Sequence, residues 1–302
     1  MIKAANFYAD ICGLKTAFTS RLSDEMWDIW SWKIDPYKSS FSIAGSHLVI
    51  ERTFDNRTIK ELEKLVLLQG ETAGQFERRI YKDPNGGTLW LLMQIQKQKI
   101  YLLYHMSEEL NCITLLQDNT NSAGTMAFAH LTWLMPGVFL KYDNLTFHGV
   151  LLEHENRGII ISAASGTGKT THARLWRDLK NALIINGDRA LCKNMDGKWR
   201  GYGMPWSGTS GEQMNRNIPI TALVILKQSK TNHTEILKGL DAFAAVMKNL
   251  QYPRWNAGLA GTALDLVNEF LSDIPIIKLY CRPDDEAVDV LNTALESLEH
   301  EV

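Results

Sequence analysis

The stretch from Ile159 to Trp176 constrains the fold more than any other part of the chain. It reads IIISAASGTGKTTHARLW, which is an aliphatic run, then a loop of Ser, Ala, Gly and Thr, then residues with a helical pattern. An apolar run that ends in a glycine-rich loop and continues into a helix is typical of an α/β protein. We therefore predict a strand, loop and helix unit within an α/β fold that also has some α+β character.

The loop SAASGTGKTT has the residue types of a Walker A motif in the context that such a motif requires. Gly166 and Gly168 would let backbone N–H groups face a triphosphate, and a helix beginning at Lys169 would add the positive end of its dipole. Ala163 stands where the motif usually has its first glycine. The alternative is a glycine-rich turn with a solvated lysine. We predict that ATP is bound by Ala164, Ser165, Gly166, Thr167, Gly168, Lys169, Thr170 and Thr171.

Phosphoryl transfer also needs a metal ligand and a carboxylate near the acceptor. In the predicted site, Lys169 contacts the β and γ phosphates and the Thr170 hydroxyl reaches Mg²⁺. Asp188 follows the strand-like run ALIING, and strand ends at one edge of such a sheet lie side by side, so we expect Asp188 to face Lys169. We predict Lys169 and Asp188 as catalytic residues, and Thr170 with Asp188 as the metal ligands. The alternative for Asp188 is a residue that caps a turn.

A histidine precedes the loop in the segment LTFHGVLL. We expect this segment to form the strand beside the one that leads into the loop. His148 is therefore a third candidate catalytic residue, and Gly149 after it keeps the backbone open. The alternative is a structural histidine in an apolar setting.

FHGVLL, SGTGKTT and IINGDRA together resemble the HPr kinase/phosphorylase and phosphoenolpyruvate carboxykinase superfamily, and the loop is most similar to the carboxykinase version. HPr kinases carry a His-Gly pair before the loop and an acidic pair after it. His148 and Gly149 match the first pair, and Asp188 matches the first acid, but Arg189 stands at the second. The resemblance implies a P-loop kinase domain that uses ATP and Mg²⁺. Arg189 counts against the reverse, phosphorylase reaction.

GDRALC and GMPWSGTSG resemble HPr kinase-like proteins of peptide-modifying gene clusters, including kinases that phosphorylate lasso-peptide precursors on a serine. This resemblance implies a hydroxyl of a peptide or protein as the phosphate acceptor. It covers roughly residues 145–230 by motif. Two alternatives stay open, a small-molecule kinase or carboxykinase and a non-catalytic ATP-sensing protein.

The segment GYGMPWSGTSGEQMNRN, residues 201–217, reads as a loop too rich in glycine and serine for a core element. One interpretation is a mobile lid or acceptor-binding loop, anchored by Trp206, with Arg216 or Glu212 near the transferred phosphate. The other is a surface connection.

The length of 302 residues suggests two domains. We predict a mixed α/β domain over 1–130, for which substrate recognition is a hypothesis, and the P-loop kinase domain over 131–302. Within the first, the pattern predicts a helix over 58–70 that ends at Gly70, and a later helix, GTMAFAHLTWLM, which ends at Pro136, leads into the second domain. Three tryptophans form either a peptide-binding shelf or part of the core, namely Trp27, Trp30 and Trp32.

Charge, cysteine spacing and hydropathy limit the classes of partner and the compartment that we expect for this protein. A formal net charge of -2 gives no electrostatic reason to expect nucleic acid or an anionic membrane. The four cysteines are far apart and form no CxxC pair, which predicts neither a zinc site nor a disulfide framework. No segment approaches the ~20 apolar residues of a membrane helix, and the N-terminus lacks a signal-peptide core. We expect a cytoplasmic protein, and its oligomeric state stays open.

Overall fold

The computed structural model describes residues 6–19, 24–164 and 166–299, and within these ranges the side chains of residues 6, 24–27 and 299 are left undescribed. Contacts divide the chain into two compact units, Met1–Val138 and Phe139–Val302. Each unit combines strands with helices, which confirms the α/β class. The functions predicted for the two domains stay predictions.

The first unit is built on one mixed sheet with the strand order β1-β2-β3-β8-β7-β6-β5-β4. The β2–β3 and β3–β8 pairs are parallel and the other neighbours are antiparallel. The strands are β1 (Asn6–Ile11), β2 (Leu14–Thr19), β3 (Leu48–Arg52), β4 (Leu67–Ala73), β5 (Phe76–Lys82), β6 (Thr88–Gln94), β7 (Lys99–Met106) and β8 (Cys112–Asp118), and the helices are α1 (Asp24–Ile34), α2 (Ile59–Leu62) and α3 (Thr125–Lys141).

The helix predicted over 58–70 is wrong beyond its first turn. Its start is correct, since Thr58 and Glu61 form a reciprocal capping box at the beginning of α2. The apolar residues that follow the first turn continue into β4, which pairs with β5, and Gly70 lies inside that strand. A longer helix would gain little from burial, since only Leu62 of α2 is buried. The cross-strand hydrogen bonds between β4 and β5 therefore outweigh the helical pattern.

The prediction that the later helix ends at Pro136 is also wrong, because α3 continues to Lys141. A proline inside a helix removes one hydrogen bond and costs about 3 kcal/mol. Leu134 and Val138 are fully buried on either side of Pro136. Burial of each such side chain contributes roughly 1.5–3 kcal/mol, which offsets the loss.

The three tryptophans do not share one role. Trp30 is buried in the core of the first unit, and its Nε1–H donates to the carbonyl oxygen of Gly124 at 2.9 Å. Trp32 has 70% of its surface exposed. The side chain of Trp27 lies outside the description. Trp30 is therefore a core residue, and its buried ring cannot form part of a peptide-binding surface.

The second unit has the strand order β10-β9-β12-β13-β14-β16-β15. Its hydrogen-bonded path closes on itself, because β10 also pairs with β14, and β11 pairs with β9. The elements are β9 (Asn144–His154), β10 (Arg157–Ser162), α4 (Lys169–Lys180), β11 (Leu183–Asn186), β12 (Arg189–Met195), β13 (Lys198–Tyr202), β14 (Asn217–Gln228), β15 (His233–Leu237), α5 (Gly239–Asn249), α6 (Ala257–Asp273), β16 (Ile276–Cys281) and α7 (Asp285–Glu299).

Alternate residues of β10 face two different helical layers. Ile159 and Ile161 belong to a buried cluster that contains Trp176 of α4 and residues of α7. Ile160 belongs to a second cluster, with Phe270 of α6 and residues of α5. A strand buried on both faces reads as a continuous aliphatic run, which is why IIIS predicted this core strand. The predicted strand, loop and helix unit is confirmed.

Among the described residues, no helix combines the length and the apolar character needed to cross a membrane. The four cysteines, Cys12, Cys112, Cys192 and Cys281, form no disulfide bond.

Candidate functional site

Hydrogen bonds of β9 place the start of the loop on one side of the pair His148-Gly149 and Asp188, the residue before β12, on the other side. Ser162, the last residue of β10, lies opposite Gly149 of β9. On the other side, the Gly149 N–H donates to the carbonyl oxygen of Asp188 at 3.0 Å. Because neighbouring strands lie about 4.8 Å apart, the residue that begins the loop and Asp188 are separated by roughly 10 Å.

Ser162 connects this row to the helix α5. Its Oγ atom lies 2.6 Å from the carbonyl oxygen of His148 and 2.9 Å from Oδ1 of Asn249. The side chain of Ser162 is fully buried. The backbone of His148 is therefore held at the point where the chain leaves the sheet for the loop.

The loop between β10 and α4 presents backbone to its surroundings. Gly168 precedes α4 with a φ of 110°, which favours glycine, and Gly166 has a φ of 76°. A Cβ atom at either glycine would meet nothing within 4 Å, so the space in front of the loop is open. The first N–H groups of α4 have no partner within the helix. The loop therefore fits a polyphosphate.

Lys169 begins α4 and its side chain folds back over the loop. Its Nζ atom donates to the carbonyl oxygen of Ala163 at 3.0 Å and lies 3.5 Å from that of Ala164. A backbone hydrogen bond also stabilises the loop, since the N–H of Thr167 donates to the carbonyl oxygen of Ala164 at 3.2 Å. Ser165, predicted to bind the nucleotide, lies outside the described residues.

The predicted metal ligands supply oxygen atoms. Thr170 and Thr171 occupy the first turn of α4, directly after Lys169. A threonine hydroxyl and a carboxylate are hard oxygen donors, which suit a Mg²⁺ ion that keeps water and phosphate oxygens as its other ligands. Thr170 and Asp188 therefore fit the ion in their chemistry.

His148, Asp188 and Lys169 influence one another electrostatically. The Nδ1 atom of His148 lies 3.8 Å from Oδ1 of Asp188. Burial lowers the pKa of His148, the positive charge of Lys169 lowers it further, and Asp188 opposes both effects. Burial also lowers the pKa of Lys169, again opposed by Asp188. A lowered pKa keeps His148 neutral at physiological pH, so that it can accept a hydrogen bond.

Arg189 contributes a cation where the resemblance led us to look for an acid. Its guanidinium pairs with the carboxylate of Asp188. Its Nε–H donates to Oε1 of Gln251 at 3.1 Å. A guanidinium that contacts both Asp188 and Gln251 orients the Asp188 carboxylate.

Asn186 is a site residue that the sequence analysis missed. Its Oδ1 atom accepts from the N–H groups of Asp188, at 3.1 Å, and Arg189, at 2.9 Å. Its Nδ2 atom donates to the carbonyl oxygens of Met204, at 2.9 Å, and Trp206, at 3.2 Å. One buried amide thus connects the turn that carries Asp188 to the glycine-rich segment. The signal was an Asn immediately before Gly-Asp, a residue type that often bonds nearby backbone.

The glycine-rich segment after β13 forms no helix or strand over residues 203–216, as expected for a loop, yet it packs into the unit. Met204 and Trp206 are buried, and the ring of Trp206 lies 6.4 Å from that of Phe139. Gly208 lies against the site, since a Cβ atom there would come within 2.6 Å of Cγ of Asp188. The segment therefore forms one wall of the site beside Asp188.

The two charged residues suggested for the phosphate, Arg216 and Glu212, make other contacts. Arg216 forms an ion pair with Glu153, near the far end of β9, with Nη2 donating to Oε1 at 2.6 Å. Glu153 is five residues from His148, which corresponds to about 16 Å along a strand. Glu212 pairs with Arg177 of α4 at 3.0 Å.

Comparisons with known proteins give similarities to solved structures alone. No protein-family model matches the sequence, and no curated protein matches it. Among solved structures, the chain is similar to the HPr(Ser) kinase/phosphatase from Coxiella burnetii, with 13% sequence identity and a TM-score of 0.30. The match covers 51% of this chain and 98% of that chain. A similarity this low does not identify an activity.

Proposed function

We propose that this protein is an ATP-dependent kinase that transfers the γ-phosphate to a hydroxyl, a serine of a peptide or protein. The observation that carries the proposal is the row formed by Ser162, Gly149 and Asp188, which brings a phosphate-binding loop and a carboxylate to the two sides of His148. A loop alone would account for binding. The carboxylate across from it accounts for transfer, because an acceptor hydroxyl has to be oriented and deprotonated.

The residues of the chain would divide the work as follows. The loop amides and Lys169 hold and neutralise the phosphates. Thr170 and Asp188 hold Mg²⁺, which when bound offsets charge on the phosphates. Asp188 also orients the acceptor hydroxyl, while Arg189 fixes the direction of its carboxylate. Neutral His148 accepts a hydrogen bond from the acceptor or supports Asp188.

The resemblance to kinases of lasso-peptide precursors makes a serine-containing precursor peptide the first acceptor to test. We also propose a cytoplasmic setting, which four cysteines without a disulfide bond support. Substrate recognition by the first unit belongs to the same proposal.

The deciding experiment follows transfer and binding in the same preparation. The protein is incubated with Mg²⁺, ATP labelled at the γ-phosphate and a panel of serine peptides, and MgATP binding is measured by calorimetry. We expect label on a peptide serine, and loss of both binding and labelling in Lys169→Ala. MgATP binding with no labelled peptide, protein or small alcohol would instead favour an ATP-sensing protein. No binding at all would overturn both.

A further inference from the structure

A cavity of about 390 Å³ lies beside the phosphate-binding loop in the second unit. Ala163, Ala164 and Thr167 of the loop form one wall. The opposite wall comes from the ends of β14 and α5 and from β16, and it carries three lysines, Lys227, Lys248 and Lys278. None of the described side chains that line this cavity is acidic. The cavity is therefore a positively charged space that borders the loop.

The position of these lysines follows from the sheet. β10, β14 and β16 are parallel neighbours, so their carboxyl ends meet at one edge, where the loop begins. Ser162 lies level with Ile225, and Ile225 with Lys278, while Lys227 follows two residues later on β14. Lys248 comes from the last turn of α5. Four separate elements therefore direct backbone or ammonium groups to one place.

The three lysines differ in their neighbours. Lys278 lies over the ring of Tyr280, and Glu235 and Asp241 are close enough to act on its charge. Lys227 also lies over Tyr280, 5.2 Å from the ring centroid, and is exposed. Lys248 is exposed on α5. Lys227 and Lys248 are thus the two cations whose contribution can be removed with least disturbance.

The nucleotide does not need this additional charge. The loop amides, Lys169 and a Mg²⁺ ion already offset the charge of a triphosphate. Separate ammonium groups over an apolar floor of Ile225 and Leu226 suit carboxylates spaced along an extended chain, because lysine binds as a point charge without the planar fork of arginine. We propose that this cavity binds acidic side chains of the acceptor peptide, which makes acidic serine peptides the substrate class of the kinase.

The cavity and the candidate transfer site are linked through Asn249. Asn249 lines the cavity, and its Oδ1 atom lies 2.9 Å from Oγ of Ser162. The same Oγ atom donates a hydrogen bond to the carbonyl oxygen of His148. A peptide held at the lysines therefore lies beside the loop and the strand that carries His148. This inference depends on the proposed function only in taking the anion to be part of a peptide acceptor.

The test measures binding of two fluorescent probes, a peptide with one serine flanked by glutamates and a peptide with glutamines in their place. Both are titrated by fluorescence anisotropy in the presence of Mg²⁺ and a non-hydrolysable ATP analogue. We expect the glutamate peptide to bind at least about 10-fold more tightly, with a preference that weakens as salt is added. Equal binding of the two peptides would overturn the proposal.

The matched variants separate a defined site from general attraction. Lys227→Gln with Lys248→Gln should abolish the preference for the glutamate peptide. The control, Lys193→Gln with Lys198→Gln, removes the same charge from the β12–β13 hairpin and should keep it. An equal loss in both pairs would mean non-specific attraction and would overturn the site. Circular dichroism and the melting temperature verify that each variant is folded.

Calorimetry with MgATP alone distinguishes the two possible sources of the anion. We expect the Lys227 and Lys248 variant to bind MgATP within about 3-fold of the unmodified protein. A parallel loss of MgATP affinity would assign the lysines to the nucleotide and overturn the proposal. If no peptide is phosphorylated but the glutamate preference persists and depends on these lysines, the anion site stands and the kinase proposal fails.

Discussion

The carboxylate of Asp188 lies 3.8 Å from the Nδ1 atom of His148, although the two residues are forty positions apart in sequence. The pairing of β9 with β12 brings them together, because His148 lies opposite Arg189, the residue after Asp188. The backbone of Asp188 is held by two hydrogen bonds, because its carbonyl oxygen accepts from the N–H of Gly149 and its N–H donates to Oδ1 of Asn186. Replacement of its side chain therefore tests chemistry more than folding.

Asp188→Asn should lower phosphoryl transfer by about 10²–10⁴-fold, because an amide cannot accept the proton of the acceptor hydroxyl. MgATP binding should weaken only modestly, because one Mg²⁺ ligand is lost while the loop amides, Lys169 and Thr170 are unchanged. A transfer assay and calorimetry on the same sample measure both quantities. The control is Asp196→Asn, at an exposed turn with a φ of 54°, and it should behave as the unmodified protein. Full transfer activity in the Asp188 variant would contradict the assigned role.

Gly208→Ala should disturb the site through a close approach. The added Cβ atom would come within 2.6 Å of Cγ of Asp188, so either the wall or the carboxylate has to move. We expect transfer to fall at least about 10-fold while MgATP binding is retained, since a misplacement of about 1 Å can cost more than that.

Gly211→Ala is the matched control for this variant. Gly211 has a φ of 72° and Gly208 a φ of 58°, so both substitutions carry similar backbone strain of roughly 1 kcal/mol. A Cβ atom at Gly211 would meet nothing within 4 Å. If both variants lose transfer to the same extent, strain and not the contact with Asp188 explains the effect.

Asn186→Asp should release the glycine-rich segment and leave the Asp188 turn in place. The carboxylate can still accept from the N–H groups of Asp188 and Arg189, but it cannot donate to the carbonyls of Met204 and Trp206. Buried groups that lose their partner cost about 1–3 kcal/mol each. We expect faster amide hydrogen exchange over residues 203–213.

Asn186→Ala is the comparison, since it removes both sets of hydrogen bonds. It should lower the free energy of unfolding further and also raise exchange at Asp188 and Arg189. Unchanged exchange over residues 203–213 in both variants would show that Asn186 does not hold the segment.

His172 gives a pH dependence of stability. Its ring is buried in α4, its Nε2 atom accepts from Nε1–H of Trp176 at 3.2 Å, and its Nδ1 atom has no hydrogen-bond partner among the described residues. Burial lowers the pKa of His172 from 6.5 to about 4. The unfolded chain therefore binds the proton more readily, so stability is complete above pH 6.5 and is lost as the pH falls toward 4.

The contribution of His172 amounts to about 2 kcal/mol between pH 7.5 and pH 5. His172→Gln should reduce this slope of the unfolding free energy, measured by urea denaturation at several pH values. The control is His233→Gln, at an exposed histidine, and it should keep the slope. An identical pH dependence in the His172 variant and the unmodified protein would contradict the assignment.

The parts of the site that could be predicted from the sequence are those with a local pattern. IIIS, the glycine loop and the helix after it are consecutive, and their hydrophobic period changes where the structure changes. The proximity of Asp188 followed from the rule that strand ends share an edge. The roles of Asn186 and Gly208 could not be predicted, because each depends on a contact with a segment about twenty residues away.

The errors in the fold have the same origin. The pattern after Thr58 is helical by itself, yet β5 offers hydrogen bonds that turn the later residues into a strand. Pro136 is a helix breaker by itself, yet the buried residues around it keep α3 continuous. Cross-strand hydrogen bonds in the first case and tertiary burial in the second outweigh a local preference, and a single sequence does not reveal the partner that supplies them.

The irregular step in the pairing of β11 with β9 has a consequence for how this site can change. Leu183 and Ile184 follow one register and Asn186 follows the next, so the chain contains one extra residue just before the turn. Ile184 lies opposite Leu152 and Asn186 opposite Leu151, which are consecutive on β9, so removal of Ile185 would restore a regular ladder and leave Asn186 in its present register. Evolutionary drift at this step can therefore shorten the chain by one codon with Asp188 kept beside Gly149, at the cost of the buried side chain of Ile185.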